Sequence, residues 1–188
     1  NDGGATYCIT NGIRSHFFNC TFSNNIARQG GGIAIFTSRG PTFWNCLFNN
    51  NTAETGGGCY LSKTTDLYNC TIVKNEATEA YGGIYYDNPA DIRNCIIWGN
   101  TSPDGDIQMG PLQTHTYCAV QDGITKTGNN FCATPENDGD STGFYVRFKD
   151  PEVVAGNTGH GGDWRLQPNS LCINQGYPIT GHPEFDLD

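Results

Sequence analysis

Positive charge is scarce in this chain: ten Lys and Arg stand against nineteen Asp and Glu, a formal net charge of −9. The few cations are scattered and form no basic stripe. That argues against nucleic-acid binding, because phosphate neutralisation supplies most of such affinity. No apolar run approaches the roughly 18 residues of a membrane-spanning helix. No segment of useful length carries a helical period, so the chain is expected to be almost entirely strand and turn. The histidines, His16, His115, His160 and His182, are isolated and lack metal-ligand spacing. No Ser or Cys nucleophile motif is present. There is no starting Met and no signal peptide. The opening Asn1-Asp2-Gly3-Gly4 falls in mid-pattern, which reads as a processed product or a piece of something longer.

What the chain does have is a repeat. Asn19-Cys20, Asn45-Cys46, Asn69-Cys70 and Asn94-Cys95 recur at Cys-to-Cys intervals of 26, 24 and 25 residues. Five residues after each Cys stands another asparagine: Asn25, Asn51, Asn75 and Asn100. Then come Ala27, Ala53, Ala77 and Ser102, and a glycine run leading into an apolar stretch, as in Gly30-Gly31-Gly32-Ile33 and Gly56-Gly57-Gly58-Cys59. Strand-like content at a period near 25 marks a stacked β-solenoid. Hydrophobic content of 36% is low for a globular core but suits the thin core of such a stack, and 25 glycines suit its turns. The fold class expected is all-β, a right-handed parallel β-helix of roughly five to six coils with an irregular C-terminal cap segment. Residues 1–121 are assigned to the coils, and 122–188 to a long loop and capping segment of the same domain.

Period-two alternation places Phe18, Cys20 and Phe22 on one inward face, as it does Trp44, Cys46, Phe48 and Tyr68, Cys70, Ile72. Asn19, Thr21 and their equivalents then point outward. Arg93 stands where an aromatic stood in earlier copies, which suggests a rung that flares open or meets a cap. Cys20, Cys46, Cys70 and Cys95 are expected to stack as reduced thiols about 4.8 Å apart. Cys118, Cys132 and Cys172 lie outside that ladder and are the better disulfide candidates, although Thr116-Tyr117-Cys118 looks like one more strand in the Cys register. The pairing of Cys8 and Cys59 stays open. Asn25, Asn51, Asn75 and Asn100 read as a structural ladder of side chains bonded to each other and to turn backbone, in preference to a ligand site.

The coils resemble the repeats of bacterial surface β-helix proteins, including the GGxI and FxxN elements of polymorphic outer-membrane proteins. Phe22-Ser23-Asn24-Asn25 and Phe48-Asn49-Asn50-Asn51 carry the FxxN element, and Gly31-Gly32-Ile33-Ala34 the glycine element in permuted form. The terminal part, Asp150-Pro151, Gly162-Asp163-Trp164-Arg165-Leu166-Gln167 and Ser170-Leu171-Cys172-Ile173-Asn174-Gln175-Gly176, resembles the end of the choice-of-anchor Q domain family. It departs at Leu171, at Asn174-Gln175 and in lacking a final strand. The resemblance implies a secreted or surface-anchored bacterial protein, and no assigned activity.

Candidate chemistry is sparse. Lys63, Asp66, Asp87, Asp91 and Arg93 fall in neighbouring coils and form the best candidate ligand or catalytic face, against the plainer reading of a solvated charge cluster. Tyr60, Tyr85 and Trp98 are expected outward, where aromatic rings suit sugars; Trp164 is expected to plug the solenoid end. Asp104, Asp106, Asp138 and Asp140 sit in Gly-rich loops and are weak Ca²⁺ candidates; otherwise no cofactor is expected. Asp140-Ser141-Thr142 fits a short O-glycosylation sequon at Ser141. Sequons at Asn19, Asn50, Asn69 and Asn100 matter only if the source glycosylates Asn. The function expected is a non-catalytic extracellular structural or adhesion module. The alternatives are a polysaccharide-binding or polysaccharide-cleaving protein, or a filament-forming subunit that stacks end to end. Partners would be glycans or cell-surface proteins.

Overall fold

The computed structural model describes residues 3–9, 14–37, 40–62, 64–88, 90–105, 108–110, 115–121, 131–133, 148–150 and 163–166. Short strands follow one another around a shaft. The first sheet contains β1 (Thr6–Cys8), β4 (Ile33–Ile35), β8 (Cys59–Leu61) and β12 (Ile84–Tyr86). The second contains β2 (His16–Phe18), β5 (Thr42–Trp44), β9 (Asp66–Tyr68), β13 (Asp91–Arg93) and β15 (His115–Thr116). The third contains β3 (Thr21–Ser23), β6 (Leu47–Asn49), β10 (Thr71–Val73), β14 (Ile96–Trp98), β16 (Ala119–Gln121) and β17 (Phe131–Ala133). A short fourth ribbon pairs β7 (Thr52–Thr55) with β11 (Glu76–Ala80). All of these ladders are parallel, and the chain completes about four full turns. A separate antiparallel pair joins β18 (Phe148–Asp150) to β19 (Asp163–Leu166).

Left-handed residues make the corners. Between the second and third sheets they are Asn19, Asn45, Asn69, Asn94 and Tyr117, with φ from 52° to 58°. After the third sheet they are Asn24, Asn50, Lys74 and Gly99, and before the first sheet Gly30, Gly56 and Tyr81. Asn is the ordinary residue best able to adopt this conformation, and Gly adopts it freely.

The Asn corner overturns the simple alternation through Phe18-Asn19-Cys20. A left-handed residue turns the chain and shifts the phase, so the inward residues are Phe17, Cys20 and Phe22. Phe43, Leu67 and Ile92 are buried, whereas Phe18 is exposed and Trp44 and Tyr68 are only half-buried on the outside. The same shift places Arg93 in the outer row, paired in register with Tyr68, beside a buried Ile92 and Cys95. The rung does not flare open there.

Inside, Phe17 stacks on Phe43 and Phe22 on Phe48, each at 4.8 Å between ring centroids, and the two stacks meet edge to face. Further along, Leu67, Ile72, Ile92, Ile97 and Val120 take over the same core. The second-column asparagines form a continuous ladder. Asn51 Oδ1 accepts from Asn25 N at 3.1 Å and Nδ2 at 2.9 Å, Asn75 Oδ1 accepts in the same way from Asn51, and Asn100 Oδ1 from Asn75. Each Nδ2 of Asn51, Asn75 and Asn100 also donates to a core-strand carbonyl, Phe22, Phe48 or Ile72. Gln108 ends the ladder: its Oε1 accepts both Asn100 donors and its Nε2 donates to Asn100 O at 2.8 Å. The glycine run lies against this column. A Cβ on Gly58 would come 2.8 Å from Gly83 O and 3.0 Å from Asn75 Nδ2.

The thiol ladder has a further member. Cys20, Cys46, Cys70, Cys95 and Cys118 are all free, and Cys118 is fully buried, with its sulfur 3.4 Å from Cys95 N. The expectation that Cys118 stands outside the ladder as a disulfide candidate is therefore wrong; the Asn that marks the motif is replaced there by Tyr117, which takes the same left-handed corner. Cys8 and Cys59 are free thiols on the first sheet. The side chain of Cys132, and Cys172, lie outside the described residues.

Candidate functional site

The outer face of the second sheet carries two rows in strict register. One runs His16, Thr42, Asp66, Asp91; the other runs Phe18, Trp44, Tyr68, Arg93. Both rows follow from period-two strands whose middle residues, Phe17 to Ile92, point into the core. Trp44 and Tyr68 lie 4.4 Å apart between ring centroids at 45°. Phe18 stacks on His16 at 6.2 Å at the start of the face.

Polar groups close the other end. Tyr68 donates its hydroxyl to Asp91 Oδ2 at 2.8 Å, and Arg93 Nε reaches Asp91 Oδ1 at 2.6 Å. Arg14 crosses from the preceding loop to Asp66, Nη2 to Oδ2 at 2.8 Å, while its Nε donates to Gly40 O. Burial raises the Asp66 carboxyl above its ordinary value, opposed in part by Arg14. Burial, and then the bond to Asp91, likewise push the Tyr68 hydroxyl up.

The five residues expected to form one ligand face, and the aromatics expected to meet sugars, separate. Asp66, Asp91 and Arg93 come together on the second sheet. Tyr85 and Asp87 belong to the first sheet, where the Tyr85 hydroxyl donates to Asp87. Asp87 follows the strand end and turns toward Tyr85 instead of joining Asp91. Trp98 is on the third sheet, packed with Leu47, Val73 and Ile96. Lys63 lies outside the described residues, as do Asp106, Asp138, Asp140, Ser141 and the side chain of Trp164. Asp104 is exposed and accepts from Ser102 Oγ. Among the described residues no three His, Cys, Asp or Glu side chains converge as metal ligands.

The first sheet also carries outer aromatics. Tyr7, Phe36, Tyr60 and Tyr85 follow one another at 5.5, 5.2 and 4.5 Å, the last two contacts stacked. Rings stacked along the shaft cover each other's faces and show mainly their edges. Trp44 and Tyr68 are tilted against each other and flanked by the Asp91–Arg93 ion pair. They were missed in the sequence because unbroken alternation turns them inward; the left-handed preference of the Asn at each corner is the signal that could have found them.

A family model described as the right handed beta helix region matches residues 1–131. This chain belongs to the right-handed β-helix family. No curated protein and no solved structure matches it. In this right-handed β-helix the outer face of the second sheet is a strip running along the shaft, so neighbouring groups recur at the rung spacing of about 4.8 Å.

Proposed function

We propose that this right-handed β-helix is a rigid, non-catalytic module of an extracellular or cell-surface protein, and that it adheres to glycans through the outer face of its second sheet. The observation that carries the reading is the tilted Trp44–Tyr68 pair in register with the Asp91–Arg93 ion pair. A sugar ring has an apolar face that lies on an aromatic ring and hydroxyls that bond to carboxylate and guanidinium groups. Rows repeating along the shaft suit an extended polysaccharide. Asp91 is held by two partners, which orients it for hydroxyl recognition more than for proton transfer. The likeness of the terminal segment to the choice-of-anchor Q family supports a surface location.

The test is binding to a panel of neutral and acidic polysaccharides by calorimetry. Trp44→Ala and Arg93→Ala are each expected to weaken binding about tenfold, a loss near 1.4 kcal/mol. Tyr60→Ala, on the first sheet, is expected to leave it unchanged. Binding that survives a combined Trp44→Ala/Arg93→Ala change rejects the face.

One observation favours a second reading, glycoside cleavage. Asp66 and Asp91 are in register on adjacent strands, and burial raises the Asp66 carboxyl. Two neighbouring carboxyls, one acting as general acid and one as nucleophile, are the apparatus of retaining glycosidases. That reading requires release of reducing ends from some member of the panel and its loss in both Asp66→Asn and Asp91→Asn. A parent protein that releases none from the whole panel leaves adhesion as the reading.

A further inference from the structure

The outer face of the second sheet carries no net charge, and its two ion pairs are not alike. Arg14 pairs with Asp66 and Arg93 with Asp91, two cations against two carboxylates. The chain as a whole carries −9, so all of that excess lies elsewhere. Asp91 and Arg93 are open to a similar degree, with side chains 34% and 40% exposed. Asp66 is sunk below its partner: its side chain is 11% exposed against 40% for Arg14. Its in-register neighbours are the buried Thr42 on one side and Asp91 on the other.

The sunken carboxylate acts on the surface through the guanidinium above it. Arg14 Nη2 meets Asp66 Oδ2 at 2.8 Å, and Arg14 Nε donates to Gly40 O at 3.1 Å, so the guanidinium is fixed at two points. A guanidinium stays protonated at any ordinary pH. It carries five N–H donors, more than those two contacts engage. What a ligand meets is therefore a donor-rich group whose charge is cancelled from below. Burial raises the Asp66 carboxyl and Arg14 opposes it, so each member of the pair sustains the charge of the other.

We propose that Asp66 determines the specificity of this face: by cancelling Arg14 from below it keeps the face neutral, so that the face takes uncharged polysaccharides and rejects those that carry carboxylates. This rests on the adhesion reading above, and within it Asp66 is a positioning residue that acts through Arg14. An acidic polymer meets the −9 of the surrounding molecule with no uncancelled cation on the face to offset it. A neutral polymer meets no such repulsion, and its hydroxyls accept from the guanidinium N–H groups. Without the Asp66 carboxylate, Arg14 would stand on the face as a full positive charge and favour the acidic polymer.

The experiment measures binding of the intact chain by calorimetry to dextran, xylan, mannan and amylose, each beside its carboxymethyl derivative, so that the members of a pair differ only in carboxylates. The parent is expected to prefer the neutral member of any pair it binds. Asp66→Asn keeps an oxygen to accept from Arg14 Nη2 and removes only the charge. It should lower that preference about fivefold, the size of one charge contact in water, and leave the affinity for the neutral member unchanged. Asp87→Asn, beside the first sheet, changes the net charge of the chain equally and should leave the preference as it is. The shift should vanish in about 1 M salt, where charges are screened within about 3 Å, which an effect of loosened packing would not do. If Asp66→Asn does not fold, His16→Lys adds an uncancelled cation at the exposed start of the same row and should lower the preference by a similar factor. The inference alone is overturned if Asp66→Asn, or His16→Lys in its place, shifts the preference no more than Asp87→Asn, if the shift survives high salt, or if the parent binds both members of a pair equally. A parent that binds no member of the panel overturns the adhesion reading itself, and this inference with it.

Discussion

Two asparagine columns run along this shaft six residues apart, and the same side chain serves a different purpose in each. Asn19, Asn45, Asn69 and Asn94 stand at left-handed corners, where the residue is chosen first for the backbone conformation it tolerates, and only part of the column adds an amide bond, from Asn94 Nδ2 to Asn69 Oδ1 at 3.0 Å. Asn25, Asn51, Asn75 and Asn100 have no such backbone; Asn51, Asn75 and Asn100 are buried and are chosen for an amide that both donates and accepts. A period alone cannot distinguish the two. Substitution can, because the exposed corner at Asn19 should tolerate Gly and the second column should tolerate no other residue of its size.

The largest effect is expected in the buried column. Asn75→Ala would strand Asn51 N and Nδ2 without their acceptor and remove the donor to Phe48 O. At about 1–3 kcal/mol for each buried unsatisfied group, the loss should be about 3–5 kcal/mol. That is a large fraction of the stability of an ordinary domain. Asn75→Gly should be no better, since the missing group is the amide and not a left-handed backbone. Urea denaturation measures both. A loss under about 1 kcal/mol for Asn75→Ala would mean that the ladder relaxes or takes up water.

How much of this could be read from the chain depends on which physical property left a mark. The solenoid and the Asn25–Asn100 ladder were legible because identical residues at one period must stack in register. The outer face was not. Trp44 and Tyr68 look like core residues until the corner at Asn45 and Asn69 shifts the alternation, and that shift is a backbone event with no apolar signature. Asp66, Asp91 and Arg93 were legible as neighbours, since equivalent positions in successive coils adjoin. Asp87 was misassigned to them because sequence proximity to Asp91 hides the corner between the first and second sheets. Gln108 left no signal at all: it enters the ladder from outside the repeat, with one more methylene to reach from a different backbone position.

The thiol column sharpens the contrast, because it is the one of the three that titrates. Burial, and then the contact with Cys118, push the Cys95 thiol up. The unfolded thiol ionises near pH 8.5. Above that pH the unfolded chain has released a proton that the folded chain keeps, so the contribution of Cys95 is fully present below pH 8.5 and is lost as pH rises toward the folded value. Cys95→Ala removes this one contribution. Between pH 8.5 and 9.5 the parent should therefore lose about 1 kcal/mol more than the variant. Urea midpoints measured for both proteins across that range test it, and parallel slopes would show that Cys95 ionises as easily folded as unfolded.

The smallest effect is expected where the comparison began, at the corner column. Asn19 is exposed, with φ of 54°, and its backbone N–H donates to Trp44 O at 3.0 Å. Any residue at that corner keeps this backbone bond, so only the conformation is tested. Asn19→Ala should cost about 1 kcal/mol, the usual penalty for a Cβ in the left-handed region. Asn19→Gly should lie within about 0.5 kcal/mol of the parent, because its free backbone gains at the corner what it loses in the unfolded chain. The pattern is the reverse of that at Asn75, where Gly gives no rescue. If Asn19→Gly proved as damaging as Asn19→Ala, the exposed amide itself would be holding the corner, as the Asn94–Asn69 bond joins the amides further along the column.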